Sequence, residues 1–324
     1  MSLSLNHNTI APKNQDHILV AVEKRRQQLH VAQMLESYVN QSAYRRVLEC
    51  GQTVTMLEDV AGTARRYDTG YFCGHRMCPA CAWRKSMGTA VVISAIAGAL
   101  VAQQRVPLMV TLTAPNCEGE QLGEEIRRYN RAWDKLIRRT KYRAAWGDNI
   151  RKLEVTYNAQ DDTYHPHLHV LVFVRPSYFN GRTYISRKQL LEDWRVCYGN
   201  ANITQVDIRK SYGADGKSIA EISKYVAKSS DYLQSQRVFN AFYAGLRGKR
   251  LIGYSGRCKE LREVFKGGGL RQYVDRDLTQ YVWRVLYRDM GDGDYVEQER
   301  WHYDDVLEDD SGIEIAAAWA YMED

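Results

Sequence analysis

At 324 residues, with 44% hydrophobic and 26% charged side chains and only 6 Pro, the chain is too long for a disulfide-stapled module and too apolar for a disordered one. Net charge is +6, but residues 289–324 hold thirteen acids against Arg300 alone, about −12, which leaves about +18 on the rest. A body that basic attracts polyanions, and the acidic end reads as a separate tail.

Residues 1–15 lack the apolar core of an export signal, which predicts a cytoplasmic protein with no membrane partner. From Asp16 to Arg46, apolar residues at Leu19, Val22, Leu29, Met34 and Leu35 predict helix, so 1–46 reads as a helical, basic arm. Residues 47–85 form a compact cysteine-bearing module. The run 87–102 is sixteen residues of mostly apolar sequence, short of the roughly 20 that cross a bilayer, and predicts a buried helix. A strand follows at 106–116 and a helix at 120–140. Two strands, 152–158 and 167–174, flank the polar turn AQDDT as a hairpin. Helix at 185–199, strand at 203–210 and helix at 218–233 complete an α+β domain over 86–235, a partly antiparallel sheet with helices stacked on it. Residues 236–288 read as a basic, glycine-broken extension and 289–324 as the acidic tail.

The cysteines carry the sharpest local signal. Cys73-x4-Cys78-x2-Cys81 brings three of seven cysteines within nine residues, and an odd count in a cytosolic chain favours a metal over disulfides. Four thiolates would make a closed structural Zn²⁺ site, with Cys50 the preferred fourth ligand and His75 the competitor. Just beyond, Trp83, Arg84 and Lys85 would project from the knuckle as nucleic-acid contacts. In the strand 165–174, alternation puts His165, His167 and His169 on one face and Leu168, Val170 and Val172 on the other. Glu154 on the preceding arm can lie across from the histidines, and mixed N and O ligation with open positions suits Mg²⁺ or Mn²⁺. Thr111 and Thr113 share a face of the neighbouring strand, where packing is their ordinary role. In EISKYVAKSSDY, helical spacing aligns Glu221, Tyr225, Lys228 and Tyr232, with Tyr225 beside the ammonium groups of Lys224 and Lys228. Ser218-x-x-Glu221 is also a capping box, which would make Glu221 a helix-start residue.

Taken together these segments resemble the replication initiators of rolling-circle plasmids, in the single-tyrosine group of the HUH endonucleases. VTLTAPN (110–116) resembles the family's first motif, and HPHLHVLVFV (165–174) its metal-binding second motif, through His167 and His169. LEVTYN (153–158) matches the preceding strand that carries Glu154, and EISKYVAKSSDY (221–232) matches the third motif. RRVLEC and CGHRMCPACAWRKS resemble the group's N-terminal region. The likeness covers residues 47 to about 260.

The resemblance implies an HUH fold, ferredoxin- or RRM-like, with an N-terminal zinc module. It implies a DNA nickase and strand transferase in which Tyr225 becomes linked to DNA and Glu221 activates water at termination. Its partners would be plasmid origin DNA and the host helicase and polymerase, with Lys224, Arg247, Lys249 and Arg250 joining Arg84 and Lys85 on DNA. His165 departs from the pattern as a third histidine that could replace Glu154, and the acidic tail has no counterpart role. A transposase or mobilisation relaxase would share the same motifs. A zinc-containing regulator without catalysis is the alternative of another class.

Overall fold

The structure is a computed structural model that describes residues 17–38, 40–211, 221–223, 227–274 and 279–303. In chain order its helices are α1 (His17–Ser37), α2 (Gln41–Glu49), α3 (Pro79–Ala102), α4 (Leu122–Arg138), α5 (Thr140–Trp146), α6 (Arg187–Tyr198), α7 (Ser229–Tyr232), α8 (Gln236–Leu246) and α9 (Arg257–Lys266). The strands are β1 (Thr53–Asp59), β2 (Arg65–Gly70), β3 (Val106–Thr113), β4 (Asn149–Asn158), β5 (Thr163–Val174), β6 (Val206–Lys210), β7 (Ile252–Ser255), β8 (Tyr281–Asp289) and β9 (Tyr295–His302). The chain divides into two compact units, Met1–Val91 with Asp275–Asp324, and Val92–Val274.

The first unit is built on an antiparallel sheet of order β2-β1-β8-β9. Where one helix was expected across 16–46, two form, because the Asn40 side chain accepts the Ala43 N–H at 3.1 Å and starts α2 afresh. The inward face of α1 includes two polar residues, Arg25 and Gln28. Arg25 bonds the carbonyls of Leu48 and Cys50 and pairs with the buried Asp289 at 2.8 Å. Asp289 also accepts the N–H groups of Gly291 and Gly293. Residues 289–302, expected in a solvated acidic tail, are instead the end of β8, a turn and the edge strand β9, and Asp289 is among the most buried acids of the described residues.

Burial alone would raise the Asp289 carboxyl, but Arg25 and the two backbone N–H groups outweigh it and hold the carboxyl below its usual range. Asp289 therefore adds stability above about pH 4, the unfolded-chain value, and loses it as pH falls through the lower folded value. We expect Arg25→Met, which strands this charge, to cost about 3–5 kcal/mol. A urea midpoint unchanged from wild type would refute that.

The second unit holds an antiparallel sheet of order β6-β3-β5-β4-β7. One face carries Leu108, Val110, Leu112, Leu168, Val170 and Val172, all buried. Each such side chain contributes roughly 1.5–3 kcal/mol relative to exposure. Arg151, on this same face, reaches Asn130 of α4 at 2.5 Å, which places that helix over the aliphatic rows. Helix α4 forms because Leu122, Ile126, Tyr129, Trp133 and Leu136 recur every three or four residues, with Glu124 and Glu125 in its first turn and Lys135 and Arg138 in its last. It packs closely on α8, where a Cβ on Gly245 would stand 2.8 Å from Leu122 Cγ. Gly245→Ala is expected to lower stability by about 1–3 kcal/mol through overpacking, read as an earlier thermal transition.

Three further expectations change. The extension 236–288 contributes α8, β7 and α9, and β7 pairs with β4 as a sheet edge, so this segment is part of the fold. Lys228 is extended (φ −76°, ψ 143°) between the helical residues 221–223 and α7, so no single helix runs through 218–233. The capping residue Ser218 lies outside the described residues. Helix α3 reaches 24 residues once its first turns from Pro79 are counted, and by length and apolarity could cross a membrane. Its Val92, Ile93, Ala95, Ile96 and Leu100 are fully buried in the protein, as in a core helix.

Candidate metal centres

The β4–β5 hairpin fixes the first cluster. Its register sets Glu154 opposite His167, and β3 on the other side sets Thr113 opposite His167 and Thr111 opposite His169. Side chains directly opposite in an antiparallel pair share a face. His167 Nε2 lies 3.6 Å and His169 Nε2 3.4 Å from the same oxygen, Glu154 Oε2. Together these ligand atoms fall within 4.8 Å of one another.

His167 Nδ1 lies 3.2 Å from the His165 carbonyl and donates to it, so Nε2 is the nitrogen that faces Glu154. Glu154 is buried, and burial would raise its carboxyl. The hydrogen bonds and charges of His167 and His169 outweigh that and hold it well below the usual carboxylate range. Two nitrogens and one anionic oxygen on a rigid sheet face, with no fourth protein ligand among the described residues, are a donor set for a cation with open positions.

His165 does not join this set. Its ring stacks on His167 at 5.3 Å, and its Nδ1 meets Asn116 Oδ1 at 2.8 Å. Burial first, and then the charge on His167, lower its pKa. Glu221 does reach the cluster, with Oε1 3.3 Å from His169 Nδ1 and Oε2 2.5 Å from the Arg209 guanidinium. Thr111 Oγ1 is 3.3 Å from the same His169 nitrogen, so this threonine has a polar neighbour beyond sheet packing.

Four buried sulfurs make the second cluster, those of Cys50, Cys73, Cys78 and Cys81. Cys50 Sγ stands 3.6 Å from Cys78 Sγ and 3.5 Å from Cys81 Sγ, and Cys73 Sγ 3.7 Å from Cys81 Sγ. A disulfide needs about 2.05 Å, whereas thiolates 2.3 Å from one tetrahedral ion sit about 3.8 Å apart, so the spacing fits a shared cation. Backbone N–H groups of Cys73, Gly74 and His75 point at the sulfurs of Cys50, Cys81 and Cys73 at 3.3–3.4 Å, and would stabilise thiolate charge. Burial pushes the Cys78 thiol well up, while hydrogen bonding from Cys50, Cys78 and Cys81 holds Cys73 down. His75 turns away, its Nδ1 accepting the Met77 N–H.

Tyr225 and Lys224 lie outside the described residues. Lys228 is exposed, as are Arg247 and Arg250, and Lys249 is half-buried. Tyr232, a suspect second nucleophile, is 3% exposed against Phe239 and Phe242 and is not available to a substrate. Trp83 and Arg84 do not project as expected. On the opening turns of α3 they face inward, Trp83 against His17 and Tyr67, and Arg84 with its guanidinium 3.3 Å from the Phe72 ring centroid. Burial lowers Arg84 to about 10. Lys85 is half-buried. The residue missed in the sequence is Arg209. Its only signal was its place on the candidate strand 203–210.

These features define an α+β protein in which one unit's antiparallel sheet presents a His-hydrophobe-His pair with a glutamate and the other unit carries a four-cysteine cluster. The profile of the Rep_1 replication proteins matches residues 64–282. The chain is 34% identical over 213 residues to a "Protein rep" of Staphylococcus aureus, covering 65% of this chain and 93% of that one. It is 33% identical over 270 residues to a "Protein rep" of Streptococcus pneumoniae, covering 78% and 84%. A "Protein rep" of Lactiplantibacillus plantarum is 30% identical over 289 residues, 84% of each chain. No solved structure matches significantly. The chain belongs to the Rep_1 family, the HUH-type plasmid replication initiators.

Proposed function

We propose that the protein starts rolling-circle replication of a plasmid in the cytoplasm, as a site- and strand-specific DNA nickase and strand transferase with an HUH endonuclease fold. The convergence of His167, His169 and Glu154 on one face of an antiparallel sheet, in a member of this family, carries the reading. These three residues would hold Mg²⁺ or Mn²⁺, which when bound supplies Lewis-acid polarisation of the scissile phosphate. Tyr225 Oη attacks phosphorus, displaces the 3′-oxygen and leaves a 5′-phosphotyrosine bond and a 3′-OH primer. Lys224 and Lys228, its sequence neighbours, would favour the phenolate. At the end of a round, Glu221 takes a proton from water, or the released 3′-OH reattacks, and the DNA is freed. Zn²⁺ on the four cysteines is structural, since four thiolates leave no open position. Exposed Arg247 and Arg250 are suited to phosphate contacts. Host helicase and polymerase would extend the primer.

A time course of denaturant-resistant protein–DNA complex tests this, on a supercoiled plasmid carrying the protein's own replicon. At saturating Mn²⁺, wild type should nick it and show a transient adduct, Glu221→Ala a persistent one and Tyr225→Phe none. Adduct formation by Tyr225→Phe, or no nicking by wild type, would overturn the reading.

A further inference from the structure

His169 is bracketed by two carboxylates. Glu154 faces its Nε2 at 3.4 Å, and Glu221 faces its Nδ1 at 3.3 Å, where Thr111 Oγ1 also lies 3.3 Å away. A neutral imidazole has one N–H, and the nitrogen that ligates a cation must be the other one. The Glu221 carboxylate can only accept, so when Nε2 ligates a cation together with Glu154, the proton sits on Nδ1 and is bonded to Glu221. His167 reaches the same tautomer by a different route, through the carbonyl of His165. That partner is backbone, fixed by the strand. The partner of His169 is a side chain from another element, and it is itself held, because Glu221 Oε2 pairs with Arg209 on β6 at 2.5 Å. Both oxygens of Glu221 are thus engaged, one by the histidine and one by the arginine.

We propose that Glu221, clamped by Arg209, is a positioning residue for the catalytic metal centre. It fixes the tautomer and the ring plane of His169, in addition to any work on water. This rests on His167, His169 and Glu154 holding the cation. Carboxylate–histidine–metal arrangements are a general means of orienting a ligand and raising its basicity. Here the carboxylate comes from the residue four positions before Tyr225 in the sequence. Arg209 supplies a countercharge for the second carboxylate that faces His169. Its side chain is about half exposed, so it can be removed with little disturbance to the core.

The test uses full-length protein with Mn²⁺ as the only probe, at matched folded fraction. Calorimetry reads its affinity, and long-range ¹⁵N–¹H NMR of histidine-labelled, metal-free protein reads the His169 tautomer. Glu221→Ala should weaken Mn²⁺ binding by about 10- to 100-fold and mix the His169 tautomers. Glu221→Gln, which keeps an acceptor oxygen, should restore the Nδ1–H form and most of the affinity. Arg209→Ala should weaken binding in the same direction by a smaller factor. Wild-type affinity and tautomer in Glu221→Ala would overturn the proposal, leaving water activation or capping as the residue's whole role. If His169→Ala leaves Mn²⁺ affinity unchanged, the metal reading of the cluster fails first, and this inference falls with it.

Discussion

Replacing His167 and His169 together with alanine is expected to abolish cleavage of an origin oligonucleotide, a loss of at least about 10³-fold, while duplex binding stays close to wild type. The two effects separate because they come from different parts of the protein. Cleavage needs charge stabilisation at one phosphate, for which a bound cation contributes several kcal/mol, and the double variant leaves Glu154 as the sole member of its ligand set. Binding depends on many lysines and arginines releasing counterions, so its salt dependence should be unaltered. EDTA should reproduce the loss, and added Mn²⁺ or Mg²⁺ should reverse it in wild type alone. Cleavage that persists in the double variant would place the chemistry elsewhere. His165, turned to Asn116, would have to move to take part.

The second large effect concerns the cysteines. Purified protein should contain one tightly held Zn²⁺ per chain, and Cys78→Ser should lose it. Apparent binding energies of structural zinc run to about 10–16 kcal/mol, which equals or exceeds the net stability of an ordinary domain. Chelation should therefore unfold the sheet of β1, β2, β8 and β9, whose α2 ends at the ligand Cys50. Limited proteolysis should then cut within residues 17–91 and 279–303 before it cuts 92–274. A folded, zinc-free preparation would sink this prediction.

Local sequence made much of the first cluster legible. Alternation assigned the faces of β5, and a short polar turn between β4 and β5 was enough to set Glu154 across from His167, since hairpin register follows from turn position. Contacts between distant segments had no such signal. Thr111 meets His169 only because β3 pairs with β5, and Arg209 reaches Glu221 only because β6 adds to the far edge of β3. Charge counting misled at the C-terminal end for the same reason. Asp289 resembles its acidic neighbours in sequence, and nothing nearby announces Arg25, its partner across 264 positions. Arg84 followed Trp83 in a run that reads as basic surface, yet the start of α3 turns both inward.

The discontinuity of the first unit bears on how the chain is made. A ribosome releases β1 and β2 early, but β8, which pairs along the whole of β1, emerges only after residues 92–274 are complete. Until then β1 has one open edge carrying Val54, Met56 and Leu57, the kind of strand that recruits wrong partners. All four cysteines of the cluster lie before residue 92, so a metal captured there can brace the nascent hairpin while translation continues. A message broken after codon 274 would yield His167, His169, Glu154 and Tyr225 intact, attached to a sheet still missing half its strands.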